Sequence, residues 1–332
     1  MNKIGIIYGD NGKELVKKLL KRYKPLKNLS NISKITFGIK PNLVKASPAE
    51  EGATSDPEII AGIIEYLQEL GVRDINILES SWVGGNTERA FKVCGYNQLA
   101  QKYQVNLINL SGKKYNTIKL QEKNIKVFQE INNIDYLINV PVLKAHCQTK
   151  ITCALKNLKG CIPDSEKRRF HTLGLHQPIA FLNKIIATDL IIVDGIYGDL
   201  TFEEGGNPVK MDRILIGEDP VLIDAYAAKL LGYAIKDISY IGLAEKLGVG
   251  SSNLETAVIE KYNTPGRDKG ISTNSSGIVN ELSKYVKQKS ACSACYGNLI
   301  HALYQLKKKN KLRNIEDKIY IGQYYQGRQK SG

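Results

Sequence analysis

The chain is predicted to be an α/β protein, with largely parallel sheets, flanking helices and two lobes separated by a cleft. Three observations predict this. Short β-branched runs alternate with amphipathic segments along most of the length. Two helices open on the same Asp-Pro device. The 332 residues, 42% of them hydrophobic, can bury one large core or two smaller ones without disulfides or metal.

Strands are predicted at residues 4–8, 35–39, 75–78, 105–108, 136–140, 190–193 and 214–216. Asp56 and Pro57 supply an N-cap acid and an N1 proline before Ile59, Ile60, Ile63, Ile64 and Leu67, an apolar stripe of helical period that stops at Gly71. Asp219 and Pro220 repeat the device ahead of Val221, Leu222, Ala225, Tyr226 and Leu230, and that stripe stops at Gly232. The shared grammar is compatible with an internal duplication. Short alternating pieces at 117–120 and 125–127 predict a hairpin on a sheet edge or between lobes, and 251–276 reads as an irregular connection. The expected organisation is an N-terminal lobe over 1–140, a second lobe over 141–280 and a small cysteine-containing tail over 281–332. That tail holds a helix near 298–309 and a last strand at 319–321.

The net charge of +14 is unevenly spread: residues 1–34 carry +7, residues 281–332 carry +8, and the 246 between them −1. No zinc-finger spacing, RNA-binding signature or helix-turn-helix pattern accompanies the charge, so nucleic acid is not the expected partner and the basic runs read as solvated helix faces. The N-terminus shows no apolar secretion segment, and no run approaches the roughly 18 apolar residues that span a bilayer. The expectation is a cytoplasmic protein without membrane insertion, whose six cysteines are thiols or metal ligands rather than a disulfide framework.

In open parallel sheets ligands bind beyond the carboxyl ends of strands, which directs attention to the loops there. After residue 39 come Lys40, Pro41 and Asn42, then Thr54 and Ser55 at a helix start, a combination suited to an anion. After residue 78 come Ser80 and Ser81, in a loop with neither dinucleotide-binding nor Walker spacing. The densest polar region follows residue 140, with Lys144, His146, Lys156 and Asn157, then Arg168, Arg169, His171 and His176. Lysine and arginine hold carboxylate or phosphate, and histidine moves protons or binds metal near neutral pH. Asp194, at the end of a predicted strand, reads as a base, as a ligand for a hard cation, or as ordinary Asp-Gly turn chemistry. Cys292 and Cys295 form one CxxC pair, half of a four-ligand site, which Cys147, Cys153 or Cys161 can complete. Cys94, among Phe91 and Leu99, reads as a buried small hydrophobe.

Six separated segments resemble the DUF362 family, uncharacterised proteins often described as iron–sulfur cluster-binding. They are IKPNLVKA, GATSDPEIIAGIIEYLQELGV, NVPVLKAHCQTKITCALKNLKGCIP, KRRFHTLGLHQPIAFLN, IIVDGIYG and GEDPVLIDAYAAKLLGY, in the family's order, over roughly residues 35–245. The resemblance marks Lys40, Pro41, Asn42, Thr54, Pro57, Lys144, His146, residues 154–157, Gly160, Arg169, His171, His176, Asp194, Gly195, Asp219, Pro220 and Asp224. It implies an iron–sulfur cluster, of [4Fe–4S] type, with zinc or no metal as alternatives. The appended ferredoxin run C-x2-C-x2-C-x3-C-P of many relatives is absent here, so a cluster would draw on Cys292 and Cys295 with Cys161 as third ligand and Cys147 or Cys153 as fourth. A fainter similarity of arrangement is to the lactate-racemase family.

The first expectation is therefore an iron–sulfur enzyme or redox protein, with a partner such as a ferredoxin, acting on a small anionic substrate. Lys40, Asn42, Thr54, Ser55, Ser80, Ser81, Lys156, Asn157, Arg169 and His176 would hold the anion, and His146, His171, Lys144 and Asp194 would do the chemistry. The second is a racemase- or isomerase-like proton-transfer enzyme without a cluster. The third is a basic binding or scaffold protein whose termini dock an acidic partner or nucleic acid.

Overall fold

A computed structural model describes residues 2–201, 203, 207–264, 275–289, 291, 293–312 and 317–322. The chain opens with β1 (Lys3–Tyr8), α1 (Gly12–Tyr23), β2 (Phe37–Lys40), α2 (Pro57–Glu69) and β3 (Ile75–Glu79). Then come α3 (Thr87–Val93), α4 (Tyr96–Tyr103), β4 (Asn106–Asn109), the hairpin β5 (Tyr115–Leu120) and β6 (Lys123–Phe128), and β7 (Tyr136–Asn139). The polar region forms a small ribbon, β8 (Lys144–His146) and β9 (Lys150–Thr152), followed by α5 (Ala154–Asn157), α6 (Asp164–Leu173) and α7 (His176–Ile185). Two long strands, β10 (Leu190–Asp199) and β11 (Pro208–Gly217), precede α8 (Pro220–Leu230), α9 (Ser239–Lys246) and β12 (Val258–Lys261). The tail contains α10 (Ser275–Ser283), β13 (Val286–Gln288), α11 (Ser293–Lys308) and β14 (Ile319–Ile321).

Eight strands form one sheet in the order β12-β1-β11-β10-β7-β2-β3-β4. Every pairing in it is parallel except those of β11 with β1 and β10. Side chains alternate across it as a strand period of two requires. Ile75 and Ile77, Tyr136 and Ile138, Leu190 and Ile192, and Ile214 and Ile216 face one core with α1 to α4. Leu78, Leu137, Ile191, Val193 and Leu215 face the other, with α5 to α9 and the β5–β6 hairpin. The expected boundary at 140/141 lies within this sheet, because β7 precedes it, β10 follows it, and the two pair directly. The tail packs around its own small cluster of Leu282, Ile300, Leu303 and Leu312.

The two Asp-Pro caps form as the residues predict. Asp56 accepts the backbone N–H of Glu58, and Asp219 accepts those of Val221 and Leu222. The hairpin forms over 115–128 as a separate two-stranded ribbon. No helix among the described residues is long and apolar enough to cross a membrane.

Helices α1 and α2 approach so closely that a Cβ on Gly62 would lie 2.7 Å from the carbonyl oxygen of Lys13, a backbone atom that cannot step aside. Gly62→Ala is expected to lower stability by about 1–3 kcal/mol despite the better helix propensity of alanine. Gly242→Ala, in α9 where nothing lies within 4 Å, is expected to raise it by up to about 1 kcal/mol. Urea midpoints moving in opposite directions are the check.

Candidate active site

The chain runs from β2 through α2 to β3 on one side, and from β7 through α5 to α7 to β10 on the other, so β2 and β7 flank a topological switch point. A cavity of about 530 Å³ opens beyond their carboxyl ends, lined by the loops after β2 and β3, the ribbon β8–β9, α5 and the turn after it, α6, and the start of α11.

Its floor is a buried ion pair. Lys40, the last residue of β2, places Nζ 2.7 Å from Glu79 Oε2 at the end of β3, and both side chains are almost wholly enclosed. Glu79 also accepts the backbone N–H groups of Leu43 and Ser80, which holds both loops to it. The turn carrying Gly160 lies on this pair, and a Cβ there would meet Glu79 Oε1 and the Lys40 ammonium. Beside it runs a directional relay. Lys144 Nζ donates to Asn42 Oδ1 (3.1 Å), Asn42 Nδ2 to Asn157 Oδ1 (2.8 Å), Asn157 Nδ2 to Asn139 Oδ1 (2.7 Å), and Asn139 Nδ2 to the carbonyl of Ala154 (2.9 Å). Lys144 further donates to the carbonyls of Ala53 and Glu203. It is a buried anchor for three segments at once.

The cavity walls are cationic. Lys144, Lys156, Lys159, Lys167 and Arg168 line it against Glu79 and Glu203. Lys167 is held by the carbonyls of Ser80 and Ser81, the Ser80 hydroxyl and Asp164, and burial pushes its ammonium below the ordinary range. Lys159 Nζ lies 3.1 Å from His171 Nε2. Burial and the neighbouring Lys156 bring Lys159 down to about 7, and burial with Lys159 and Lys156 brings His171 down to about 3. Near neutral pH the imidazole is therefore uncharged, and the amine exchanges its proton.

His146 sits in a different trap. Its Nδ1 accepts the backbone N–H groups of Gln148 and Thr149, both at 3.1 Å, so the ring proton is on Nε2, which points at Glu203 Oε1 3.0 Å away. Burial lowers this histidine to about 4. Lys156 contacts the other oxygen of the same carboxylate. Burial opposes the charge on Glu203, but His146, Lys156 and Lys159 outweigh it and hold the carboxyl well below the usual range.

Of the residues expected to hold the anion or do the chemistry, Asn42, Ser80, Ser81, Lys144, His146, Lys156, Asn157 and His171 line the cavity. The others lie elsewhere. Lys40 supports the floor from beneath Glu79 and does not itself line the cavity. Thr54 donates to the Ser47 carbonyl and Ser55 to that of Val140, so both hold loops in place. Arg169 pairs with Glu166 and donates to the Asn124 carbonyl, facing away from the cavity. His176 opens α7 and stacks on Tyr240, with centroids 5.9 Å apart. Asp194 lies inside β10, which continues to Asp199, and accepts the N–H groups of Asp56 and Ile196; burial raises its carboxyl to about 7. Helix period explains the exchange on α6, because residues 167, 168 and 171 share a face that 169 leaves by a turn of about 100°. Glu79, Lys159, Lys167 and Glu203 were not anticipated; the spacing of 167 and 171 on α6 is the signal that points to Lys167.

Cys147 lines the cavity and meets α11, where a Cβ on Gly297 would lie 2.9 Å from its Sγ. Cys295, on the same helix, is exposed. Cys153 and Cys161 are buried, which raises Cys153 well above the thiol range and Cys161 to about 12, so both are protonated. Cys292 lies outside the described residues. Among the described residues no three His, Cys, Asp or Glu side chains converge as a metal site. The cysteines expected as cluster ligands are not gathered into one such group among the described residues.

In comparisons with known proteins, a thylakoid-associated protein of Synechocystis sp. is 28% identical over 206 residues, 60% of this chain. The match spans 61% of that relative, so the chain aligns with about three fifths of its length. Among solved structures, the lactate racemase apoprotein from Thermoanaerobacterium thermosaccharolyticum aligns with a TM-score of 0.41 at 9% identity, covering 57% of this chain and 49% of that one. A family model described as a domain of unknown function matches residues 38–229, which include every anticipated residue that lines the cavity, and on this match the chain belongs to the DUF362 family.

Proposed function

We propose that the protein is an enzyme that binds a small anion in this cavity and moves a proton on it. The excess of cationic over carboxylate side chains around one enclosed volume carries this reading, the more so because Lys40 already neutralises Glu79 from below. Desolvated cations in a cavity attract an anion more strongly than the same groups in water. Lys159 is the acid–base group: the amine titrates near neutrality, where proton transfer is most effective, and the neutral imidazole of His171 beside it positions it as a hydrogen-bond partner. His146, fixed by two backbone donors, serves as a hydrogen-bond donor through Nε2 rather than as a base.

A second reading adds an iron–sulfur cluster, with a ferredoxin-like redox partner, at the cavity mouth. Cys147 supports it, since this thiol packs against the helix that carries Cys295. Cys161, at the opposite end of the polar segment beside Lys40 and Glu79, does not enter this version.

Three measurements test these proposals. Binding of a small carboxylate probe is expected to weaken as pH rises through about 7, because Lys159 is charged below that pH and neutral above it. Lys159→Met should remove that pH step and weaken binding about ten- to hundredfold, the worth of one charge-assisted hydrogen bond; a titration unchanged by the substitution would exclude Lys159. Nitrogen-15 spectra of the imidazoles should show His146 and His171 uncharged at pH 6, with the His146 proton on Nε2. For the second reading, anaerobically purified protein should contain iron and acid-labile sulfide that Cys147→Ser depletes; zinc alone, or no metal, would exclude it.

A further inference from the structure

Glu203 is chemically out of place. It brings a carboxylate into a cavity whose walls are otherwise arranged for anions, from a position between β10 and β11 that belongs to no helix or strand. Its two oxygens are divided between two donors, Oε1 to His146 Nε2 at 3.0 Å and Oε2 to Lys156 Nζ. Those donors are fixed from behind. His146 is locked by the backbone of residues 148 and 149, while Lys156 stands on α5, whose first turn is held by Asp224 through the N–H groups of Ala154 and Leu155. The donor side chains are 3% and 6% exposed, whereas Glu203 is 18% exposed. The acceptor is thus the most exposed member of the trio. Its backbone is tied separately, because Lys144 donates to the Glu203 carbonyl at 3.0 Å, so the carboxylate can leave its donors without the turn losing that anchor.

We propose that the His146 Nε2–H and the Lys156 ammonium form the seat for the carboxylate group of the substrate, and that Glu203 occupies this seat as an internal stand-in when the substrate is absent. This rests on the anion-binding reading above and specifies its ligand class. A planar two-oxygen anion matches one donor per oxygen, as Glu203 does; a tetrahedral phosphate would leave its remaining oxygens facing the Glu203 carboxylate it displaces. The substrate carboxylate must compete with Glu203 for the seat, which weakens its apparent affinity, and the displaced Glu203 returns on product release.

The experiment is calorimetric titration of the full chain with acetate, malonate and inorganic phosphate, for the native sequence and for Glu203→Gln and Glu203→Ala. Glu203→Gln keeps the shape of the side chain, so it guards against misfolding of the smaller variant. Both variants should bind the carboxylates at least tenfold more tightly than the native protein, phosphate should gain less, and adding Lys156→Met to Glu203→Ala should cancel the gain. Native binding with no tightening in either variant overturns the stand-in role while leaving the anion cavity intact. A larger gain for phosphate than for carboxylate overturns the ligand class. Absence of binding by native protein and variants alike overturns both this inference and the anion-binding reading.

Discussion

The site stands on the Lys40–Glu79 ion pair. Two charges taken out of water are costly, and they are tolerated here because the carboxylate is fully engaged: one ammonium and two backbone N–H groups share its oxygens. Removing either partner leaves an uncompensated buried charge, at a cost of about 3–5 kcal/mol. The pair also ties the ends of β2 and β3 together and offers a polar surface on which the turn at Gly160 can lie without a side chain between. Lys159 reaches the cavity because that turn can come so close. An interaction that catalyses nothing thus decides where an ionisable amine is placed.

Above this floor the charges are managed by proximity. Burial first, and the neighbouring ammonium groups second, disfavour added positive charge here, which brings Lys159 into the neutral range and keeps both cavity histidines uncharged. Backbone carbonyls hold two further lysines in place, Lys144 and Lys167. The result is a graded set of cations: some are fixed by the protein and serve as scaffold, and Lys159 is free to change state. Glu203 is the countercharge that makes the arrangement tolerable in the absence of a ligand.

Much of the fold is legible in the sequence because its signals are local. The Asp56-Pro57 and Asp219-Pro220 starts, the β-branched runs and the alternating hairpin each need only neighbouring residues, and the structure forms all of them. The polar segment after residue 140 is legible as a site for the same reason, since its lysines and histidines cluster along the chain. The rest depends on long-range placement. Glu79 and Glu203 lie 124 positions apart and enter the cavity from different loops. Asp194 looks like a strand-end carboxylate until β10 continues past it through an irregularity at Gly195 and Tyr197. Arg169 and Lys167 are equivalent by composition and are separated by the rotation of α6.

The antiparallel strand β11 has a consequence for how the molecule is assembled. The first strand of the chain lies inside the sheet, with Ile4 opposite Gly217 on one edge and opposite Ile259 on the other. During synthesis β1 therefore leaves the ribosome with neither partner made, and for more than two hundred residues its apolar run has only its local contacts with α1. Pairing of such sequence-distant segments is slow, because the loop must close before any contact repays it. The nascent β1 is an unpaired, apolar strand edge until β11 follows it, and its protection falls to the basic helix that comes next and to whatever holds the chain as it emerges.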